Sequence, residues 1–280
     1  MLLVRVMSSM VLLVVIVVVG IFFDTLLLNA VIWVVSSLAL IELYRATGIL
    51  RWRGLTALGI MQAFVIPFAN TQFMAMIALP VLFLIALSYF ALLVKNFGPM
   101  SLGICSKAFF LGLTVPLFFS CAVFIRDQYA IELAGFYLLV ALGAAWISDT
   151  GAYFVGTFFG KRKLAPKVSP KKTIEGTIGG IVISTGLILL LGILFEFLLG
   201  MFGRPVNIDI VMLGIFLPFF SLIGMLGDLS ASAIKREYGI KDFGAVMPGH
   251  GGVMDRFDSV LFTLPAVYLA AVHIGIITHM

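Results

Sequence analysis

The segment Ser230 to Ser259 reads SASAIKREYGIKDFGAVMPGHGGVMDRFDS and gathers Lys235, Arg236, Glu237, Lys241, Asp242, Asp255, Arg256 and Asp258. In a chain that is 62% hydrophobic and only 11% charged, such a concentration asks for a chemical reason. Just ahead of it, Asp228 stands at the end of the apolar run LIGMLGDLS, with Ser232 four residues on and Lys235 and Arg236 on the next turn if the helix continues. Gly251 and Gly252 supply flexible backbone before Asp255, Arg256 and Asp258 open the last helix. Carboxylates bind Mg²⁺, and Lys and Arg clamp phosphate oxygens, so the segment suits a divalent cation together with a phosphorylated substrate. His250, beside glycines, reads first as a hydrogen-bonding loop residue and second as a substrate contact, because no His/Cys cluster favours zinc. Glu196 and Glu237 read as a helix-end charge and a solvated face.

A second polar stretch, KRKLAPKVSPKKTIEGTIGG, places six cations between residues 161 and 172. A helix is expected to start near Thr173, and its free backbone N–H groups and positive dipole end would welcome a phosphate next to Ser169, Lys171 and Lys172. The TIEG sequence also reads as an N-cap, with Glu175 favourable in the first turn. A Lys-rich loop alone is usually a topology signal. Asp149 raises its standing, since an ionisable group in or near the end of an apolar helix is costly and tends to be functional. Its plainer role is a polar contact with a neighbouring helix.

The elements that must hold these residues are read from the apolar spans, near 4–23, 25–44, 54–69, 72–94, 108–125, 130–153, 176–200, 210–229 and 257–278. With a mean hydropathy of +1.20, they predict an all-α, polytopic integral membrane helix bundle of about eight or nine transmembrane helices. Pro67 interrupts the short span at 54–69, which is expected to be tilted, re-entrant or fused into its neighbour. Residues 1–125 form the expected N-terminal transmembrane region and 126–280 a catalytic region, with active-site loops near 154–175 and 230–256. The first span lacks a convincing cleavage site and is read as a retained helix. Cys105 and Cys121 have neither metal spacing nor a Cys-x-x-Cys arrangement and are read as buried small side chains.

With the N-terminus in the cytoplasm, sixteen of the 18 Lys and Arg residues fall on cytoplasmic segments and only Arg126 and Arg204 outside. The positive-inside rule therefore predicts that both polar loops face the cytoplasm. Arg45, Arg51, Arg53, Lys95 and Lys107 are read as topogenic. A sequence pI near 9.3 does not point to nucleic acid, because the basic residues border membrane spans and no RNA- or DNA-binding pattern accompanies them. Anionic lipid and phosphate are the expected partners.

Ser232, Lys235, Arg236, Lys241, Asp242, Gly244, Pro248, His250, Gly251, Gly252, Asp255, Arg256 and Asp258, in that order and spacing, closely resemble the signature of the phosphatidate cytidylyltransferase family, also called CDP-diglyceride synthases. The upstream SDTGAYFVGTFFGKRKLAPKVSPKKTIEG is similar to that family's other conserved block, so the resemblance covers the C-terminal half in detail. It implies a Mg²⁺-dependent enzyme of the bacterial inner membrane that joins CTP to phosphatidate, releasing pyrophosphate and leaving CDP-diacylglycerol among the membrane lipids. A monovalent cation is an optional companion to Mg²⁺, and a homodimer is the implied assembly. The resemblance carries over Asp228 and Asp255 as metal-binding carboxylates, with Asp258 and Asp149 as nearby supports or alternative ligands. It makes Asp228, Asp255, Lys235 and Arg256 catalytic, and Ser169, Lys171, Lys172, Thr173, Ser232, Arg236, Lys241 and His250 candidates for binding the triphosphate or the lipid headgroup.

A transporter is the runner-up class, but ionisable groups spread through the spans and an inverted repeat, its expected marks, are not evident. An enzyme that uses CTP to phosphorylate an isoprenoid alcohol is the closer rival, told apart by supplying phosphatidate or a polyprenol. The charge asymmetry makes the orientation testable. Single cysteines placed beside Lys163 and beside Lys241, in a background lacking Cys105 and Cys121, should react with a membrane-impermeant reagent only from the cytoplasmic side. Labelling from opposite faces would overturn the shared orientation.

Overall fold

A computed structural model describes residues 18–246 and 251–279. His250 and most of the span expected at 4–23 lie outside these residues. After a helical stretch at residues 18–21, the described residues form eight further α-helices: α1 (Leu27–Ala46), α2 (Arg53–Phe68), α3 (Met74–Lys95), α4 (Leu102–Gln128), α5 (Ile131–Phe159), α6 (Ile174–Met201), α7 (Ile210–Glu237) and α8 (Met254–Ile274). All but α2 are long and apolar enough to cross a membrane, at about 1.5 Å of rise per residue. The short strands β1 (Lys163–Ala165) and β2 (Ser169–Thr173) pair antiparallel, as do β3 (Val206–Ile208) and β4 (Ile277–His279). The architecture is all-α and polytopic, as the apolar spans require.

Several boundaries differ from the sequence reading. Helix α5 runs to Phe159, because the residues after Asp149, TGAYFVGTFF, remain apolar and contain no breaker strong enough to stop it. Asp149 therefore lies well inside a helix, and the expected loop at 154–175 contracts to the hairpin between α5 and α6. Helix α4 begins at Leu102, which puts Lys107 on the helix, where its Nζ donates to the Tyr238 hydroxyl at 2.9 Å. Helix α7 carries on through Lys235 and Arg236 to Glu237, so Asp228 sits more than two turns before its end. Helix α8 stops at Ile274, where Gly275 takes a left-handed φ of 65°, a common way to end a helix.

The chain forms two compact units. The first holds residues up to Asp127 together with Glu237–Phe257. Lipid offers no hydrogen bonds, and three polar side chains on its apolar helices find partners within the protein. The buried Tyr44 hydroxyl donates to the Ala108 carbonyl at 2.6 Å, Tyr89 donates to Gln62 Oε1 at 3.0 Å, and Asn29 Nδ2 donates to the Pro67 carbonyl at 2.7 Å. Cys105 and Cys121 are buried free thiols, as expected.

The second unit comprises Gln128–Arg236 and the chain from Asp258. Its dominant seam is α5 against α6, where small residues let the two backbones approach closely. A Cβ added at Gly180 would lie 2.9 Å from both the nitrogen and the Cβ of Ala152, and one at Gly176 would lie 2.9 Å from the Gly156 Cα. Ser184 and Ser221 share a buried hydrogen bond of 2.9 Å between α6 and α7, and Thr263 donates to the Ala141 carbonyl at 2.9 Å, joining α8 to α5.

The seam generates a matched test on one helix. Gly180→Ala forces its methyl onto backbone atoms that cannot move independently, whereas nothing lies within 4 Å of a Cβ at Gly186. Overpacking of this kind costs on the order of 1–3 kcal/mol. Gly180→Ala should lower the thermal midpoint of the purified protein by several degrees while Gly186→Ala leaves it level or raised; equal midpoints would contradict the close approach.

Candidate active site

The basic hairpin is built from its two ends. Lys163 pairs with Thr173 and Ala165 with Ser169, with an irregularity between them. Extended backbone alternates its side chains, and along β2 Lys171 is exposed while Lys172 turns half inward and Thr173 is buried. Thr173 caps α6 as its TIEG sequence predicts: its backbone is extended, and its hydroxyl accepts from the Gly176 N–H at 3.1 Å. Glu175 does more than favour the helix dipole. Its carboxylate accepts the backbone N–H of Lys161 at 3.0 Å and of Arg162 at 3.1 Å, holding the start of the hairpin against the start of α6.

Helix α6 leads away from the hairpin and α7 returns, so the C-terminal end of α7 shares a side with β2. There Lys172 forms an ion pair with Asp228, and its Nζ lies 3.9 Å from Asp149 Oδ1. The other oxygen of Asp149 accepts from the Ser259 hydroxyl at 2.8 Å. Asp228 Oδ1 accepts from Ser232 at 3.2 Å, the one-turn pairing expected of a continuous helix. Asp258, only 7% exposed, accepts from the backbone N–H of Ser259 at 2.7 Å. Asp149 from α5 and Asp228 from α7 thus flank one lysine from β2, and Asp258 from α8 is close enough to Asp228, Lys235 and Asp149 to interact with them electrostatically. Arg236 Nε donates to the Val168 carbonyl at 3.3 Å and braces the hairpin turn.

The rest of the signature belongs to the first unit. Asp255 Oδ2 accepts from Phe243 N–H at 2.8 Å and Gly252 N–H at 3.0 Å, tying both residues to the first turn of α8. Lys241, Asp242 and Arg256 are exposed. Two residues absent from the sequence reading enter here. Ser259 links Asp149 to Asp258 but looks in sequence like any small helical residue. Glu42, on α1, is 1% exposed and accepts from Val253 N–H at 3.0 Å and Met254 N–H at 2.9 Å. The signal for Glu42 is a lone acid in the apolar run LALIELY, the same cost argument that marked Asp149.

Among the described residues no three His, Cys, Asp or Glu side chains gather closely enough to form an all-protein metal cage. Mg²⁺ does not need one, because it commonly takes one or two carboxylates and completes its octahedron with waters and substrate phosphates. The donors present are hard carboxylate oxygens, and the acids around Lys172 outnumber it, so the chemistry of the set fits such an ion.

A model of the cytidylyltransferase family matches residues 3–273. A protein named phosphatidate cytidylyltransferase from Bacillus subtilis (strain 168) is 45% identical over 142 residues, covering 51% of this chain and 48% of that protein. One of the same name from Staphylococcus haemolyticus (strain JCSC1435) is 37% identical over 199 residues, covering 70% and 68%. Another from Staphylococcus aureus (strain COL) is 47% identical over 130 residues, or 46% of each chain. In most of these matches the chain spans about half the length of the curated relative.

The brace supplied by Glu175 is open to a proteolytic test. Glu175→Ala removes the acceptor for two backbone N–H groups and leaves the Thr173 cap in place. Trypsin should then cut the Lys-rich hairpin faster than in the parent protein, with the remaining fragments unchanged. An unaltered cleavage rate would mean that the hairpin is held by its strand pairing alone.

Proposed function

The chain belongs to the cytidylyltransferase family, and on that premise we propose that it transfers the cytidylyl group of CTP to phosphatidate, forming CDP-diacylglycerol and pyrophosphate. The observation that carries this reading is Lys172 set between Asp149 and Asp228 at the mouth of a basic hairpin. Cation and carboxylates at one spot are what a metal-bound triphosphate requires. The names of these relatives support phosphatidate, rather than a polyprenol, as the acceptor.

A phosphate oxygen of phosphatidate attacks the α-phosphorus of CTP, the bond from that phosphorus to the β-phosphate bridging oxygen breaks, and pyrophosphate departs with the electron pair. Both reactants are anions, so the barrier is largely electrostatic and positional. Lys172 and Lys235 offset the charge of the triphosphate, and Lys171, Arg236, Lys241 and Arg256 are further candidates to contact the nucleotide or the lipid headgroup. Asp228 and Asp255 are the proposed Mg²⁺ ligands, with Asp149 and Asp258 as supports. Bound there, Mg²⁺ would supply charge neutralisation and orient the phosphates for in-line displacement. Ser232 holds the Asp228 carboxylate, and Ser259 holds that of Asp149. The sixteen-to-two distribution of cations supports a site facing the cytoplasm, where soluble CTP meets the lipid headgroup.

Purified protein given CTP, phosphatidate and Mg²⁺ should yield CDP-diacylglycerol and pyrophosphate in equal amounts. Release of inorganic phosphate with no nucleotide on the lipid would sink the reaction class. Asp228→Asn and Asp255→Asn keep the side-chain shape but remove a charge, and each should lose about a hundredfold in turnover, equivalent to ~3 kcal/mol. Exposed Glu237→Gln should change little. Near-normal rates in the two Asp variants with an unchanged Mg²⁺ requirement would defeat the metal assignment while leaving the transfer reaction standing.

A further inference from the structure

Helix α8 opens without a cap of its own. The residues at its start read Gly251, Gly252, Val253, Met254, and none carries a side-chain oxygen that could accept the first N–H groups. Unpaired N–H groups at a buried helix start are costly. Glu42 meets that need from 211 and 212 residues away, taking Val253 N–H and Met254 N–H on its two carboxylate oxygens. Gly244 and Gly252 both press close to the same carboxylate. A Cβ at Gly252 would fall 2.5 to 2.7 Å from Glu42 carboxylate atoms, and one at Gly244 would run into the same group. Asp255 then binds Gly252 N–H and Phe243 N–H from the other side.

We propose that Glu42 is a positioning residue for the cytidylyl transfer: it caps the opening of α8 from α1 and thereby fixes where Asp255 stands. The inference rests on the functional reading above. Asp255 follows Met254 directly, at a rise of about 1.5 Å per residue, so any shift of the two capped amides moves the Asp255 carboxylate with them. Glu42 touches no reacting atom in this assignment. Loss of its charge is expected to act on the rate of the chemical step more than on CTP affinity, since Lys172 and Lys235, proposed to offset the charge of the triphosphate, stand outside the capped turn.

The test pairs turnover with amide exchange on the full-length protein in lipid nanodiscs. Glu42→Gln keeps the shape but turns one acceptor into an NH₂ donor facing an N–H. It should lower kcat by about tenfold or more with KM for CTP within about twofold. Deuterium uptake in the peptide covering 251–257 should speed up by about tenfold, with the rest of α1 unchanged. Gly244→Ala, which pushes on the same carboxylate from the loop, is the second variant and should produce the same two effects if Glu42→Gln fails to insert. Unchanged exchange at 251–257 overturns the proposal, and so does faster exchange with kcat intact, which would leave Glu42 a packing residue only. If the parent protein makes no CDP-diacylglycerol, the functional reading fails, and the exchange arm alone then judges the Glu42 contact.

Discussion

The arrangement of the second unit depends on the ion pair between Lys172 and Asp228. A carboxylate on an apolar helix has no partner in lipid, and a buried charge left single is far costlier than one that is paired. Satisfying Asp228 requires a cation to be delivered to α7 from another element, and the hairpin ahead of α6 delivers it. The local features of the hairpin serve that delivery. The Thr173 cap stops the strand and starts the helix immediately after Lys172, and Glu175 ties the first hairpin residues to the same turn. The glycine-lined contact of α5 with α6 then brings Asp149 to the other side of the ammonium.

That pairing is a compensation and a weak source of net stability. Removing two charges from water costs about as much as their attraction returns. The consequence suits the proposed chemistry. Lys172 can exchange a carboxylate for a phosphate oxygen at small net cost, because both are anionic oxygen acceptors for the same ammonium. The acids it releases are not left single if a divalent cation arrives with the nucleotide. Asp149 and Asp228 about Lys172, with Asp258 and Lys235 nearby, would favour the proposed joint arrival of a metal and a triphosphate over either alone.

Much of this was legible in the sequence, and the reasons are specific. Apolar spans reveal helices because lipid enforces internal hydrogen bonding, and the TIEG cap was readable because capping is local. The Asp228 to Ser232 contact followed from one-turn spacing on a continuous helix. Boundaries were less legible. Helix α5 outruns its expected end because apolar residues continue past Asp149, and helix α4 begins before Lys107 because one charge near a helix end is tolerated when its side chain reaches a partner such as Tyr238. The grouping of Asp149 with Lys172 was not readable as a contact, since it depends on which faces of α5 and α6 meet.

Glu42 was missed for a deeper reason than distance along the chain. Its partners are backbone N–H groups, which every residue except proline possesses, so nothing in residues 251–254 names the acceptor they need. What the sequence does carry is a deficit: a helix start of Gly-Gly-Val-Met, with no Ser, Thr, Asp or Asn to cap it, beside glycines that leave room for something bulky. A lone acid in an apolar helix is the complementary surplus. Each is ambiguous alone, because uncapped helix ends can be solvated and lone acids can pair with cations. Taken together inside a protein that borders lipid, where water is scarce, the uncapped start and the unpaired acid constrain each other. The Val253 and Met254 amides require an acceptor, and Glu42 requires donors.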